Sequence, residues 1–348
     1  MNRLLRPVAA LAAGVVITSG LATAPAHAAP DRDAGRWLES QLTDGAISAP
    51  FGEGLTVDIG LAFSELGMRS ARAQVRDAMA SRVDTYTAPS EGEVYAGPSA
   101  KLLVFAQEAG ADPTSYGGVD LVTRVNRTVA RSGRVADRSE FGDFANTIGQ
   151  AFAARGLARA GSRKADRVIS FLLRQQCDPG FFRLDFSGPS RDQSCDDARR
   201  ANRRPDTDVT ALAVLNLREL PRAERTRAVR RALTGANRWL RGTQKRNGSF
   251  GGGVATEASN ANSTGLAAWA LGSTGSCRPA RQAARWVRAL QVDGDEAGTP
   301  LAGDTGAIAY DRTALEAARS QGITDTSRDQ WRRTTAQAAP GLRFLRGC

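Results

Sequence analysis

Carboxylates, tyrosines and arginines are the side chains available for chemistry in this sequence. The 348 residues include a single histidine, His27, within the N-terminal 28 residues. The rest of the chain therefore cannot form His-based proton relays, Ser-His-Asp or Cys-His nucleophilic sites, or His-ligated zinc. Among the acids, Asp206 and Asp208 stand out in the segment Asp-Thr-Asp-Val-Thr-Ala. A carboxylic acid kept protonated by its surroundings can donate a proton to an alkene or a leaving group.

Asp208 also has a purely structural interpretation. It aligns with Asn146, Ser263 and Asp304 at the start of similar small-residue segments. All four belong to residue types preferred at helix N-caps, where a side-chain oxygen accepts a backbone N–H and contributes about 1 kcal/mol. The alignment therefore favours an N-cap role for Asp208 over that of a catalytic acid. Asp206 is a second candidate for the catalytic acid.

The four cysteines are Cys177, Cys195, Cys277 and Cys348, and none of them forms a Cys-x-x-Cys pair. An even number of cysteines in an exported chain indicates two disulfides rather than a metal site. We favour Cys177–Cys195 and Cys277–Cys348, although three connectivities are open. We expect no metal and no cofactor.

The N-terminus has the layout of a secretory signal. Arg3 and Arg6 precede an apolar run over residues 8–21, and Ala26-His27-Ala28 provides small residues for cleavage. This predicts a signal peptide over residues 1–28 and a secreted protein in which residues 29–348 form one domain. No later apolar stretch reaches the ~20 residues of a membrane span.

A sequence motif, here called a phrase, recurs along the remaining chain: an aromatic residue near a helix end, a glutamine, then a glycine turn closed by an apolar residue. It occurs at residues 37–47, 171–182, 239–250 and 286–294. Between these phrases lie segments rich in small and apolar residues, over 57–63, 99–105, 146–152, 208–214, 263–269 and 304–310. Repeated units of this kind stack, because each cannot bury its apolar face alone.

The small-residue segments predict buried helices, and the segments between them predict amphipathic ones. The seventh position of each buried segment is Phe63, Phe105, Phe152, Val214, Trp269 or Tyr310. We therefore predict an all-α (α/α)6 toroid: six helical hairpins, with six inner helices inside six outer ones. Links from outer to inner helices are long, so one face of the toroid should carry elaborate loops.

This pattern resembles the terpenoid cyclase and protein prenyltransferase toroid superfamily, which also includes the vitamin B12 carriers. The resemblance depends on Gln-x-x-x-Gly-x-Phe at Gln176 and Gln244, with looser matches at Gln41 and Gln291, and covers residues 37–318. In class II terpene cyclases of this superfamily, the middle acid of Asp-x-Asp-Asp-Thr-Ala protonates an alkene. The resemblance assigns that position to Asp208, but Val209 replaces the next acid.

The sequence leaves three functions open. The favoured one is non-catalytic binding of a small, largely apolar ligand, isoprenoid- or corrinoid-like, at the loop-rich face. The candidate contact residues are Tyr86, Tyr95, Phe181, Phe182, Asp185, Phe186 and Tyr310. The second function is an enzyme, either a degenerate cyclase using Asp208 or a glycan hydrolase or lyase with paired carboxylates. The third is a protein-docking module.

The net charge of +11 comes almost entirely from arginine, and the densest basic segment covers residues 222–246. Without Arg3 and Arg6 the charge is +9. One interpretation is attraction to anionic polymers, such as a cell-wall polymer around an exported protein. The favoured interpretation is an ordinary solvated outer surface, because the arginines are dispersed along the chain. Nucleic acid is not expected, because no basic stripe interleaved with aromatic residues is present.

Overall fold

The computed structural model describes residues 29–188, 193–296 and 298–348, so the predicted signal peptide lies outside the described residues. In these ranges the regular structure is helical, and only isolated bridges replace strands. None of the described helices is both long enough and apolar enough to cross a bilayer. The helices are α1 Pro30–Ser40, α2 Glu53–Leu66, α3 Arg69–Ala80, α4 Val83–Thr87, α5 Ala96–Glu108, α6 Leu121–Thr128, α7 Thr147–Arg159, α8 Ala165–Arg174, α9 Thr207–Arg218, α10 Arg227–Thr243, α11 Ala261–Ser273, α12 Cys277–Arg288, α13 Arg312–Gln321 and α14 Asp325–Leu342.

Six of these helices form a closed inner ring. Helices α2, α5, α7, α9, α11 and α14 each pack against the next, and α14 returns to α2. Helices α1, α3, α6, α8, α10 and α12 pack outside the ring against their inner neighbours. The outer helices are strongly amphipathic, whereas the inner ones are apolar on most sides. This confirms the predicted all-α (α/α)6 toroid.

The prediction for the sixth inner helix was wrong. Residues 304–310 form a turn, and Asp304 caps no helix but accepts a hydrogen bond from Trp37 Nε1 at 2.8 Å. The sixth inner helix is α14, which begins at Asp325. The short helix α13 is inserted between this turn and α14. Tyr310 therefore lies in the loop region and not on a ring helix.

The repeated glutamine and glycine join each turn to the following outer helix. Gln244 Nε2 donates to the carbonyl of Gly248 at 2.9 Å and to that of Pro279, on α12, at 3.0 Å. Gly248 has a φ of +90°, and a Cβ there would lie 2.7 Å from the backbone oxygen of Gln282. Only glycine allows the turn to approach α12 this closely. The repeat thus fixes how adjacent hairpins stack.

The apolar residue after the glycine sets the position of the next inner helix. Its backbone N–H donates to a side chain one to three turns into that helix, as Phe250 does to Thr264 Oγ1 at 3.0 Å. The other pairs of this kind are Ile47–Thr56, Val135–Gln150, Phe182–Thr210 and Ile308–Thr335. In the last repeat, Gln291 Nε2 donates to the carbonyl of Gly306 at 3.1 Å, so Gly306 and not the predicted Gly294 is the glycine of this repeat.

The long links gather at one face, where the inner helices begin. They cover residues 41–52, 81–95, 129–146, 175–206, 244–260 and 289–324. The structure contains both favoured disulfides. Cys177–Cys195 joins two parts of the link between α8 and α9, and Cys277–Cys348 ties the last described residue to the start of α12 at the opposite face. Two disulfides are compatible with an extracellular protein.

Candidate functional site

A central cavity of about 380 Å³ lies inside the inner ring. All six inner helices contribute lining residues, and α4 adds Tyr86 from the loop-rich face. A volume of this size falls within the range of about 300–1,000 Å³ that is typical of small-molecule sites. The cavity is therefore the main candidate for a functional site.

The middle of the cavity is apolar. Residues three or four apart on each inner helix face the same direction, so every helix presents a stripe to the axis. The apolar lining consists of Leu61, Ala62, Ile148, Phe152, Leu212, Leu215, Leu266, Trp269 and Ala336. Of the aromatic residues at the seventh position, only Phe152 and Trp269 line the cavity, whereas Phe63 and Phe105 are fully buried in the surrounding core.

A half-buried ion pair lies at the end of the cavity near the loops. Lys101 Nζ lies 2.8 Å from Asp58 Oδ1 and donates to the carbonyl of Gly54 at 3.2 Å. Burial lowers the pKa of Lys101, but Asp58 and Tyr86 outweigh this effect and leave the pKa raised. Burial also raises the pKa of Tyr86. At neutral pH this end of the cavity therefore carries the Lys101 ammonium, whose charge is balanced by Asp58, and the neutral phenol of Tyr86.

Ion pairs close the opposite end of the cavity. Arg155 lies 2.8 Å from Glu108, which also pairs with Arg159, and Arg343 lies 3.0 Å from Glu65. Burial raises the pKa of Glu65, and the arginine beside it opposes that rise. These pairs join α2, α5, α7 and the segment after α14. They form a polar floor beneath the apolar middle section.

One polar group in the cavity lining lacks a partner. Asn216 is only 2% exposed, and its Nδ2 donates to the carbonyl of Leu212 at 2.9 Å. Its Oδ1 is buried without a hydrogen bond. A buried acceptor left unpaired costs about 1–3 kcal/mol, so such atoms in native proteins call for a partner. Because this oxygen has less than 1 Å² of accessible surface, a molecule in the cavity does not reach it without a shift of the side chain.

The roles of the two aspartates differ from the predicted ones. Asp206, not Asp208, caps α9: its Oδ1 accepts from the backbone N–H groups of Asp208 at 2.9 Å and Val209 at 3.0 Å. Likewise Asn260, and not Ser263, caps α11, whereas Asn146 caps α7 as expected. The N-cap interpretation of Asp208 was therefore wrong.

Asp208 lies in the first turn of α9, and the pKa of its carboxyl is raised. Burial raises its pKa to about 6, with Asp206 adding to the rise and Ser263 opposing it. Its Oδ1 is buried and accepts no hydrogen bond. Asp208 shares a helix face with Leu212 and Leu215, one and two turns further on. It therefore lies above the described cavity lining, without belonging to it.

The glycine-rich turn over residues 251–253 packs directly on these aspartates. A Cβ on Gly253 would lie 2.1 Å from Asp206 Oδ2, and one on Gly252 would lie 3.0 Å from Asp208 Oδ2. The turn therefore forms a close-fitting cover. Burial is the main cause that raises the pKa of Asp206, and the charge of Asp185 contributes. The sequence analysis missed this role of the glycines, because a turn in one repeat covers acids of the preceding one.

The other predicted contact residues occupy several environments. Tyr95 OH lies 3.0 Å from Ser139 Oγ, outside the cavity lining. Tyr310 is half-buried, and the charge of Asp208 contributes to its raised pKa after burial. Asp185 is exposed in the loop region.

The three predicted phenylalanines occupy packing positions. Phe181 is buried with the Cys177–Cys195 disulfide and Trp239, and Phe182 is fully buried in the main core. Phe186 packs edge-on against Phe171 beneath the guanidinium of Arg134. None of the three lines the cavity. Of the seven predicted contact residues, Tyr86 is the one that does.

The fold and cavity define an α/α toroid with an enclosed apolar interior. No family model and no curated protein matches the chain. Solved structures do match: a protein from Actinoplanes has 18% identity and a TM-score of 0.61, covering 91% of this chain and 98% of its own. A variant of type II terpene cyclase MstE from Scytonema, in complex with its substrate geranylgeranyl dihydroxybenzoate, has 13% identity and a TM-score of 0.61, covering 91% and 96%.

An unrelated activity appears among the neighbours as well. An alpha-amylase from Clostridium perfringens has 9% identity and a TM-score of 0.60, covering 90% of this chain and 97% of its own. At such identities these similarities establish the fold alone. They confirm the resemblance to the terpenoid cyclase and prenyltransferase toroids at the level of architecture.

Proposed function

We propose that this protein binds a small, largely apolar molecule in the central cavity, without transforming it. The enclosed apolar middle section between two polar ends supports this proposal most directly. Burying an apolar ligand there removes its surface from water, which contributes a favourable free energy of about 25 cal/mol per Å² of apolar surface. The loop-rich face, where Tyr86 and the Lys101–Asp58 pair lie, is the proposed entrance.

An isoprenoid is the proposed ligand class. The volume of about 380 Å³ suits a folded hydrocarbon chain better than a broad corrinoid macrocycle. A structural neighbour binds a geranylgeranyl substrate, which adds support at the level of the fold. Export through the signal at residues 1–28 is part of this proposal.

Blocking the cavity tests this function. Leu212→Trp adds a large side chain to the lining, whereas Val254→Trp adds the same side chain at a position that is 53% exposed. Geranylgeraniol at 100 times its dissociation constant should stabilise the unmodified protein by about 2.7 kcal/mol in thermal unfolding. Leu212→Trp should abolish the shift, and Val254→Trp should preserve it. An equal shift in both variants would place the ligand elsewhere.

A second candidate function is acid catalysis on an isoprenoid by Asp208. A pKa of about 6 leaves this carboxyl about half protonated at pH 6 and about one tenth protonated at pH 7, and the protonated fraction can act as a general acid. Incubation with geranylgeranyl substrates and mass spectrometry of the extract test this candidate. Cyclised product that disappears in Asp208→Asn, while ligand binding persists, would favour catalysis. The absence of product from the unmodified protein would refute it. The glycine cover over Asp206 and Asp208 does not favour an open glycan cleft.

A further inference from the structure

Two outer helices carry a concentration of arginine without any acid. The sequences of α10 and α12 contain no Asp or Glu. Eight of their arginines are exposed: Arg227, Arg230, Arg231, Arg238, Arg241, Arg278, Arg281 and Arg285. Among the described residues, none of these eight forms an ion pair. We call these eight residues the arginine wall.

A groove runs between the two helices within this wall. It has a volume of about 910 Å³ and is lined by Arg238, Arg241 and Arg278, together with the turn before α12. A second depression of about 450 Å³ is also lined by Arg238 and Arg241. These two arginines thus belong to both depressions, and an extended chain that follows them could contact both.

The charge arrangement favours an anionic polymer as the occupant. Eight exposed guanidinium groups without counter-charges repel one another, and an extended polyanion relieves this repulsion while releasing its own counterions. Guanidinium groups bind phosphate in bidentate fashion. Some exposed arginines outside the wall have acidic partners, as Arg312 has Glu316, whereas Arg69 and Arg127 form no ion pair among the described residues. The wall differs from them in its density, because two helices without any acid contribute all eight of its arginines.

We propose that the arginine wall binds a linear phosphate polymer that carries no nucleobases. Single-stranded nucleic acids are normally bound by basic grooves that also offer aromatic rings for stacking. The tryptophans of these helices, Trp239 and Trp286, instead pack against the hydrophobic core. The two disulfides indicate an oxidising compartment, where phosphate polymers of the cell envelope are accessible partners. This site is separate from the central cavity and independent of its ligand.

Charge reversal tests the proposal with long-chain inorganic polyphosphate as the probe. The test variant is Arg238→Glu with Arg241→Glu. The control is Arg69→Glu with Arg127→Glu, which changes the net charge equally at exposed positions on α3 and α6, across the ring. Binding is measured by fluorescence anisotropy over a range of salt concentrations, and circular dichroism checks folding.

The test variant should lose about tenfold or more in affinity, and the slope of log K against log salt should fall by about two, whereas the control should change little. Arg238→Gln with Arg241→Gln provides a milder variant, which should lose affinity in the same direction. Equal losses in the test and control variants would overturn the proposal in favour of diffuse charge. Tighter binding of single-stranded DNA than of polyphosphate of equal charge would assign the groove to nucleic acid instead.

Discussion

At the scale of single residues, two neighbouring aspartates have exchanged the roles that the sequence suggested. Both are possible caps by residue type, and a shift of two positions along α9 decides which one accepts the backbone N–H groups. Asp206 is the cap, and Asp208 is left half-buried with a pKa that loss of solvent raises. Local sequence could not reveal this, because the burial comes from a glycine turn some 45 residues later in the chain.

The raised pKa of Asp208 predicts a pH-dependent stability. The folded-state pKa of about 6 lies above the ordinary value of 3.8, so the native state binds more protons between these values. Stability therefore falls as the pH rises through this window, and the penalty is complete above it. Asp208→Asn should raise the free energy of unfolding by about 1–3 kcal/mol at pH 7.5 and by much less at pH 4.

Urea unfolding at both pH values measures this effect. Glu91→Gln, which removes an exposed carboxylate from the same loop face, serves as the control and should leave the pH profile nearly unchanged. A profile for Asp208→Asn that runs parallel to that of the unmodified protein would contradict the assignment of a raised pKa.

At the scale of elements, five of the six inner helices were predictable from composition. Small residues recur there because helix backbones approach closely, as where a Cβ on Gly265 would lie 2.3 Å from the Cα of Ala338. The sixth helix was missed for two reasons. The turn Asp304-Thr-Gly-Ala imitates a helix opening, and α13 separates it from α14, whose buried Trp331 and Ala338 are interspersed with charged residues.

Substitution by alanine should destabilise the protein more at the repeated glycines than at other glycines with positive φ. Gly248 and Gly275 have φ values of +90° and +82°, but a Cβ clashes with α12 only at Gly248. Gly275→Ala should cost about 1 kcal/mol from backbone strain alone. Gly248→Ala adds the clash with the Gln282 carbonyl, so we expect a cost of about 2–4 kcal/mol.

Chemical denaturation of the two alanine variants gives this comparison directly. The difference between them isolates the contact between adjacent hairpins, because the backbone strain is nearly the same in both. Equal losses would mean that the glycine is required only for its φ angle and not for stacking the hairpins.

At the scale of the whole molecule, stability depends on closing the ring. The last inner helix, α14, packs against α11, α1 and α2, so the two ends of the described chain meet in one seam. Arg343 reaches Glu65 across this seam at 3.0 Å. Cys277–Cys348 holds the end of α14 over a separation of 71 residues, whereas Cys177–Cys195 closes only 18.

The two disulfides should therefore differ in their effect on stability. In the chain-entropy treatment, a loop of 71 residues contributes about 4.4 kcal/mol and one of 18 about 3.2 kcal/mol. Replacing Cys277 and Cys348 by serine should destabilise the toroid more than replacing the other pair. It should also speed amide hydrogen exchange in α14, α1 and α2, because the seam opens first, whereas loss of Cys177–Cys195 should act within its own loop. Hydrogen exchange monitored by mass spectrometry separates these results, and uniform acceleration over all six hairpins in the first variant would show that the ring opens as one unit instead of at its seam.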